Sequence, residues 1–446
     1  MVRPLRQQGV LLALLATISL PLAAADLLGV YREALKSDPI YSAARAGWTA
    51  SQEKRPQGLA GLLPQASFSA STQQNDRRIQ SRTPGAAATQ GQFNSNSMSV
   101  SVTQPIYRKQ NIVAYEQGKT QVAIADAQFA QAGQDLILRT AQAYFDVLLA
   151  SDNVAFAAAQ KEAIGQQLAQ AKRNFEVGNA TITDTHEAQA RYDLVTSQEI
   201  AALNDLEVKR RALAQLTGRD MSALKALGKD FRPDSPDPQN IGQWVAKATQ
   251  SSPAVRAALE GLSLATQEVD RNRGGHHPTV DAFASFSDSG AGSNILGGAG
   301  SDTRTTVYGL QMAIPLYQGG GTVSRVREAL ANEEKARQDL ENAKRSAELA
   351  ARSGYLGVTS GIAQVKALEA ALVSSQSSLD STRLGQEVGV RTQVDVLNAQ
   401  QQLFSARRDL AQARYNYILS WLRLQSAAGN LTENELQRVN RWLTGQ

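Results

Sequence analysis

The chain repeats itself. Tyr144 recurs as Tyr355, Gly178 as Gly389, Asp184 as Asp395, Ala188-Gln189 as Ala399-Gln400 and Gly218 as Gly429, all at an offset of 211 residues. Upstream, Pro39 matches Pro253 and Pro64 matches Pro278 at 214, and Gln104-Pro105-Ile106-Tyr107 resembles Ile314-Pro315-Leu316-Tyr317 at 210. A drift of a few residues is what loop insertions leave. Solenoid repeats run about 20–50 residues. A unit this much longer is the duplication of a whole structural half, so both halves must fold alike and pack together.

Within each copy the hydrophobic period changes in one order. A helical stretch comes first, over 27–61 and again over 253–272. Two segments nearly free of charge follow. In them Ser97, Met98, Ser99, Val100, Ser101, Val102 and Thr103 alternate polar and apolar, as do Ala66, Phe68 and Ala70 against the intervening serines. Val280, Ala282, Ala284 and Phe286 form one face of a third such segment, and Tyr308, Leu310, Met312 and Ile314 one face of a fourth. Period two means strand. Each run is about ten residues, the length of a tilted membrane-crossing strand. Only Asp281 interrupts the third with a charge. Two soluble hairpins covering a helical bundle would alternate in the same way, and the pattern leaves both readings open.

Long helices follow. Ala123, Ala127, Ala130, Gln134, Ile137, Ala141, Tyr144 and Leu148 step by fours and threes. Ala336, Leu340, Ala343, Ala347, Ala350 and Gly354 do the same, as do Ala399, Leu403, Ala406, Leu410, Ala413 and Tyr417. That spacing packs helices side by side, and alanine lets them approach closely. The pattern predicts strands over about 65–74, 97–106, 278–288 and 305–315, with loops at Asn75–Asn96 and Asp288–Arg304. It predicts helices over about 110–177, 181–217, 320–387 and 392–428. The first helix alone would be about 100 Å long, so the molecule is elongated. The domain plan is a leader over 1–25, a first repeat over 26–232 and a linker over 233–252. A second repeat over 253–429 and a C-terminal segment over 430–446 complete it.

Composition narrows the class. Twenty per cent of residues are charged and the mean hydropathy is −0.32, too polar for a bundle of lipid-facing helices. Arg3 and Arg6 precede an apolar stretch from Gly9 to Leu22 and then Ala23-Ala24-Ala25, the order of a secretory signal peptide with cleavage after Ala25. A short membrane anchor is the alternative. No later window holds the roughly 18 apolar residues of a spanning helix. The exported chain is therefore soluble, or crosses a membrane as strands. Four strands cannot close a barrel, and an open edge in lipid leaves backbone groups unsatisfied. Membrane strands here demand a homo-oligomer whose chains share one barrel.

Enzyme and cofactor signals are missing. The chain has no Cys, hence no disulfide, thiol nucleophile or Cys-linked lipid anchor. Its formal net charge of +5 is made of interspersed charges, which gives no nucleic-acid footprint. His276-His277 lacks carboxylates at metal-ligand spacing and reads as a surface pair. Gly319-Gly320-Gly321 lacks the Gly-Lys-Ser/Thr ending of a phosphate loop and reads as a strand-to-helix joint. No catalytic residue, cofactor or metal is expected.

Two helix junctions carry a resemblance. The first reads Asn174-Phe175-Glu176-Val177-Gly178-Asn179-Ala180-Thr181-Ile182-Thr183-Asp184. The second runs from Gln386-Glu387-Val388-Gly389-Val390-Arg391-Thr392 through Gln393-Val394-Asp395-Val396-Leu397-Asn398. Glycine ends one helix and Thr/Asp opens the next. With Asp38-Pro39, Leu63-Pro64, Pro315-Leu316-Tyr317 and Ala413-Arg414-Tyr415-Asn416-Tyr417, the chain resembles the TolC family of outer-membrane export channels over nearly its whole length. The resemblance implies a mixed α and β membrane protein: a homotrimer with four strands per protomer in one transmembrane β-barrel, and a long α-helical coiled-coil barrel below. It implies a passive conduit for secreted proteins or drugs, served by a periplasmic adaptor and an inner-membrane ABC or RND-type transporter. It places a periplasmic gate at Thr183, Asp184, Gln386, Arg391, Asp395 and Asn398. Gln386 stands where relatives carry tyrosine, and Asn398 where they carry a second aspartate. Val177, Gly178, Asn179, Val388, Gly389 and Val390 would meet the adaptor. Helix capping alone is the other reading of Asp184 and Asp395. A periplasmic coiled-coil adaptor or scaffold is the other reading of the chain.

Overall fold

The computed structural model describes residues 24–221, 223–228, 231–293 and 299–443. The expected leader lies outside the described residues except at its end. There Ala25 is part of the fold: its N–H donates to the Ala223 carbonyl (2.8 Å) and its carbonyl accepts from Lys225 N–H (3.0 Å).

The first copy opens with α1 (Leu27–Ser37), α2 (Pro39–Gln52) and α3 (Lys54–Ala60). The single helical stretch expected there is broken because Pro39 has no N–H to continue α1, while its fixed φ suits the first position of α2. Then come β1 (Gln65–Ile79), β2 (Thr89–Tyr107), α4 (Lys109–Glu176) and α5 (Ile182–Thr217). The linker carries α6 (Ile241–Ser251), and the second copy contributes α7 (Pro253–Arg273), β3 (Thr279–Ser293), β4 (Ala299–Ala313), α8 (Gly321–Glu387) and α9 (Gln393–Ala427). Helix α10 (Glu433–Trp442) closes the described chain.

The four strands form one antiparallel sheet in the order β1-β2-β3-β4, leaving β1 and β4 as free edges. They run 15 to 19 residues, longer than the ten or so expected. Much of the expected loop Asn75–Asn96 is paired, with Arg77 opposite Gly91 and Ile79 opposite Thr89. Thr303 and Arg304 likewise pair with Ser289 and Asp288. Ladder bonds are made by the backbone, so pairing continues past the point where apolar side chains stop. The register separates two faces. Ala66, Val102, Ala284 and Tyr308 lie in one row, and Phe68, Val100, Phe286 and Thr306 in the next; this face is mostly apolar through these rows and becomes charged one row on, where Ala70 and Met98 line up with Asp288 and Arg304. The opposite face carries Ser69, Ser99, Ser287 and Thr305 in one row and Ser71, Ser97, Ser289 and Thr303 in another. Its β1 and β2 serine hydroxyls pair at 2.7–2.9 Å.

Helix α4 has 68 residues and α8 has 67, each about 100 Å long. Helix α5 folds back along the distal half of α4, and α9 along that of α8, while α7 packs on both long helices in the half nearer the sheet. Backbones approach closely where side chains vanish. A Cβ on Gly118 of α4 would lie 2.6 Å from the Lys54 carbonyl, and one on Gly58 of α3 would lie 2.9 Å from Tyr115 Cα.

The main core sits midway. Leu27 and Val30 of α1, Leu136, Tyr144 and Phe145 of α4, Ile418 and Leu422 of α9, and Leu436 of α10 are buried together. Three tyrosine hydroxyls pin the segment joining the copies to this core. Tyr144 donates to the Lys225 carbonyl (2.8 Å), Tyr417 to that of Asp234 (2.7 Å) and Tyr355 to that of Gln239 (3.0 Å).

Helix α8 corrects one sequence reading. It holds an 18-residue window with mean hydropathy 1.2 and at most two charges, only 11% of it buried. Leu349, Leu356 and Val373 stand exposed along α8, and Ile200, Leu203 and Val208 along α5. These apolar stripes are uncovered within one protomer.

Candidate functional site

The two helix junctions lie at the end of the molecule farthest from the sheet. Gly178 (φ +81°) and Gly389 (φ +79°) adopt the left-handed conformation that favours glycine. In each, the chain reverses through a bond spanning the turn: Asn179 N–H to the Asn174 carbonyl (2.7 Å), and Val390 N–H to that of Gly385 (2.8 Å). Val177, Val388 and Val390 project from these tips at 68%, 67% and 75% exposure, with Asn179 also exposed. Apolar side chains held out in solvent on both turns form a small sticky end.

The next helices begin with matched capping boxes. Asp184 N–H donates to Thr181 Oγ1 (3.3 Å), and the Asp184 carboxylate accepts from Thr181 N–H (3.0 Å) and its hydroxyl (2.8 Å). Thr392 and Asp395 repeat the arrangement at 3.2, 2.9 and 3.0 Å. The backbone N–H and hydroxyl of Thr392 hold the Asp395 carboxyl below its ordinary value, with a smaller push from Arg391. Both aspartates therefore turn back onto their own helix. The capping role is present in the geometry.

The other residues of the set divide. Gln386 donates its amide to Gln393, whose own amide donates to Gln167 of α4 (2.6 Å). Asn398 accepts from Arg191 of α5 (3.1 Å), and the same guanidinium donates to Gln401 (2.9 Å). Arg391 lies over Gly385, where a Cβ would come within 2.7 Å of its Cγ. Arg391 makes no ion pair among the described residues, and Thr183 is exposed. Gln167, Arg191, Gln393 and Gln401 escaped the sequence reading. Arg191 has Glu187 one turn before it (3.9 Å), which in sequence looks like a solvated surface pair.

Away from the tips, where sheet meets helices, Asp281 near the start of β3 has a charged partner. Asp281 takes two bonds from the Arg108 guanidinium, at 2.7 and 2.6 Å. Nearby, His277 Nδ1 lies 3.0 Å from the Tyr107 hydroxyl. Among the described residues no cluster of His and carboxylates could hold a metal ion.

The chain is similar to known proteins over both copies. The family model described as "Outer membrane efflux protein" matches residues 30–219 and 244–430, one stretch in each copy. The outer membrane protein TolC of Vibrio cholerae is 33% identical over 433 residues, covering 97% of both chains. The alkaline protease secretion protein AprF of Pseudomonas aeruginosa is 32% identical, covering 93% of this chain and 87% of that protein. The CmeC outer membrane channel of Campylobacter jejuni superposes with a TM-score of 0.79 at 18% identity, covering 94% of this chain and 90% of that one.

Proposed function

We propose that this chain, which belongs to the outer membrane efflux protein family and is an export channel of the outer membrane, works as a homotrimer coupled to a periplasmic adaptor and an inner-membrane transporter. The observation that carries the reading is the four-stranded sheet with both edges free. Strands β1 and β4 run in opposite directions, so β4 of one copy pairs antiparallel with β1 of the next and the ring closes. Three copies give twelve strands. The apolar face meets lipid and the hydroxyl face lines the pore. The uncovered stripes on α5 and α8 are the matching seams between neighbouring helices. The length of α4 and α8 carries the conduit across the periplasm to the junction tips.

Support for protein cargo is the likeness to a protease secretion protein, and an ABC or RND-type transporter supplies the energy. Val177, Gly178, Asn179, Val388, Gly389 and Val390 form the adaptor contact. Thr183, Asp184, Gln386, Arg391, Asp395 and Asn398 form the gate, in which the aspartates also cap helices. The test is native mass measurement of detergent-extracted protein, followed by planar-bilayer recording. Three protomers forming discrete ion-conducting pores are expected. A monomer that stays in solution without detergent contradicts the reading. Asp395→Ala should raise conductance with the trimer intact, and unchanged conductance would leave Asp395 as a cap alone.

A further inference from the structure

The hydroxyl face of the sheet carries almost no charge. Alternate residues from Gln65 to Ile79 on β1 share it with Ser95, Ser97 and Ser99 on β2 and with their row-mates on β3 and β4. Among the described strand residues of this face only Arg77 and Asp281 are charged. They sit at opposite ends of it. Asp281, at the helix end, is neutralised by the two bonds from Arg108. Arg77 lies two residues before β1 stops and makes no ion pair among the described residues. Directly opposite it is Gly91, which has no side chain to stand in the way. The guanidinium leans across onto Phe93 of the same strand as Gly91, 5.7 Å from the ring centre, within the range of a cation–π contact. An aromatic face holds a cation without cancelling its charge. On the other face of the sheet two arginines and three aspartates stand near this end, and one pair of them is joined as Arg304–Asp288 (2.9 Å). Those charges nearly balance and point away from the hydroxyl face.

We propose that Arg77, seated on Phe93, makes the outer end of the lumen a cationic collar that draws anionic solutes into the mouth and holds cationic ones back. The proposal rests on the channel reading, in which the hydroxyl face lines the pore and three copies bring three such guanidinium groups round it. Strands about 4.8 Å apart and tilted about 40° put a twelve-stranded wall about 12 Å from the axis. A guanidinium lying over a ring on that wall is then about 8 Å from the axis, inside the Debye length of about 10 Å at 0.1 M salt and outside that of about 3 Å at 1 M. Three fields of one sign overlap at the centre in low salt and are screened in high salt. Arginine does not lose its proton in a protein, so the collar is permanent and does not titrate. The serine and threonine rows deeper in the sheet carry no net charge, and Asp281 is already paired, so selection by sign within the barrel is confined to its mouth.

The test reads the sign of the potential at the mouth directly. The chain has no cysteine, so Gln73→Cys puts a single thiol on the exposed hydroxyl face, two rows inward from Arg77. An anionic and a cationic methanethiosulfonate are reacted with the purified full-length protein in non-ionic detergent, and each rate is divided by that reagent's rate with free cysteine. At about 0.01 M salt the anionic reagent should react severalfold faster than the cationic one, and near 1 M the two should be equal. Adding Arg77→Gln should make them equal at both salt concentrations, and adding Arg77→Glu should invert the preference. Native mass checks that each variant assembles as the parent does. A preference that survives Arg77→Gln, or equal rates at low salt with Arg77 in place, overturns the collar and leaves the channel reading standing. A thiol that reacts with neither reagent until the protein is denatured overturns the placing of this face in the lumen, and the channel reading with it.

Discussion

Asp38 joins α1 to α2 and both to α4, and replacing it should loosen the start of the fold by a calculable amount. Its side chain is 2% exposed. One carboxylate oxygen accepts Tyr41 N–H at 2.9 Å as the cap of α2, and both accept from Arg139 of α4, at 3.2 and 2.7 Å. Asparagine keeps the cap and loses the charge. Alanine loses both. A cap contributes about 1 kcal/mol, and a charge-assisted bond about 1.5–3 kcal/mol. Arg139 is partly exposed and recovers some hydration, so the lower end applies. Asp38→Asn should cost about 1.5 kcal/mol and Asp38→Ala about 2.5 kcal/mol. Native-state hydrogen exchange of α1 and α2 amides reads this locally, without assuming two-state unfolding of an oligomer. At about 1.4 kcal/mol per tenfold, exchange should speed up roughly tenfold for Asn and on the order of 60-fold for Ala. Burial works to raise the Asp38 pKa, but Arg139 and the Tyr41 N–H outweigh it and hold the carboxyl below its ordinary 3.8. The contribution is therefore complete above about that pH and is lost as pH falls through the lower value of the folded protein. The two variants should differ less from wild type in that acidic window. Equal exchange in all three proteins at neutral pH would refute the reasoning.

Three other perturbations follow from the fold. Gly118→Val drives a side chain into the Lys54 carbonyl 2.6 Å away and should cost about 1–3 kcal/mol in a denaturant titration, while Gly261→Ala, with open space around it, should cost nothing. Tyr417→Phe removes the hydroxyl that pins Asp234, leaves a carbonyl short of its donor, and should release the segment near 234 to protease at a cost of about 1–3 kcal/mol. Signal cleavage after Ala25 would remove that residue and the two backbone hydrogen bonds it makes to Ala223 and Lys225. Sequencing should read Asp26 at the mature N-terminus, and a start at Ala25 would place cleavage one residue earlier and keep those bonds.

Local chemistry made much of the architecture legible. Strand alternation in Ser97–Thr103 exposes which side chains share a face, because the pleat has a period of two. The Gly178 and Gly389 turns announce themselves because only a left-handed residue reverses a helix so sharply. Strand ends were not legible, because Arg77 pairs as readily as Ser71 once a neighbouring backbone is present. The tip contacts were hidden for a different reason. Arg191 and Asn398 are 207 residues apart, and nothing in the local pattern of either helix points to the other. Asp281 is an isolated charge in its stretch of sequence, and its partner Arg108 is 173 residues away. A long-range polar partner leaves no period in a sequence, whereas a buried face does.

The most direct measurement of the whole arrangement is labelling of single cysteines in intact cells, in a background that has none. Ala87, between β1 and β2, lies at one end of the molecule, and Asn179, in the first junction, lies at the other. A membrane-impermeant maleimide should label Ala87→Cys on whole cells, and should label Asn179→Cys only after the outer membrane is breached. Labelling of Asn179→Cys on intact cells with Ala87→Cys protected would contradict an outer-membrane channel whose helices reach into the periplasm.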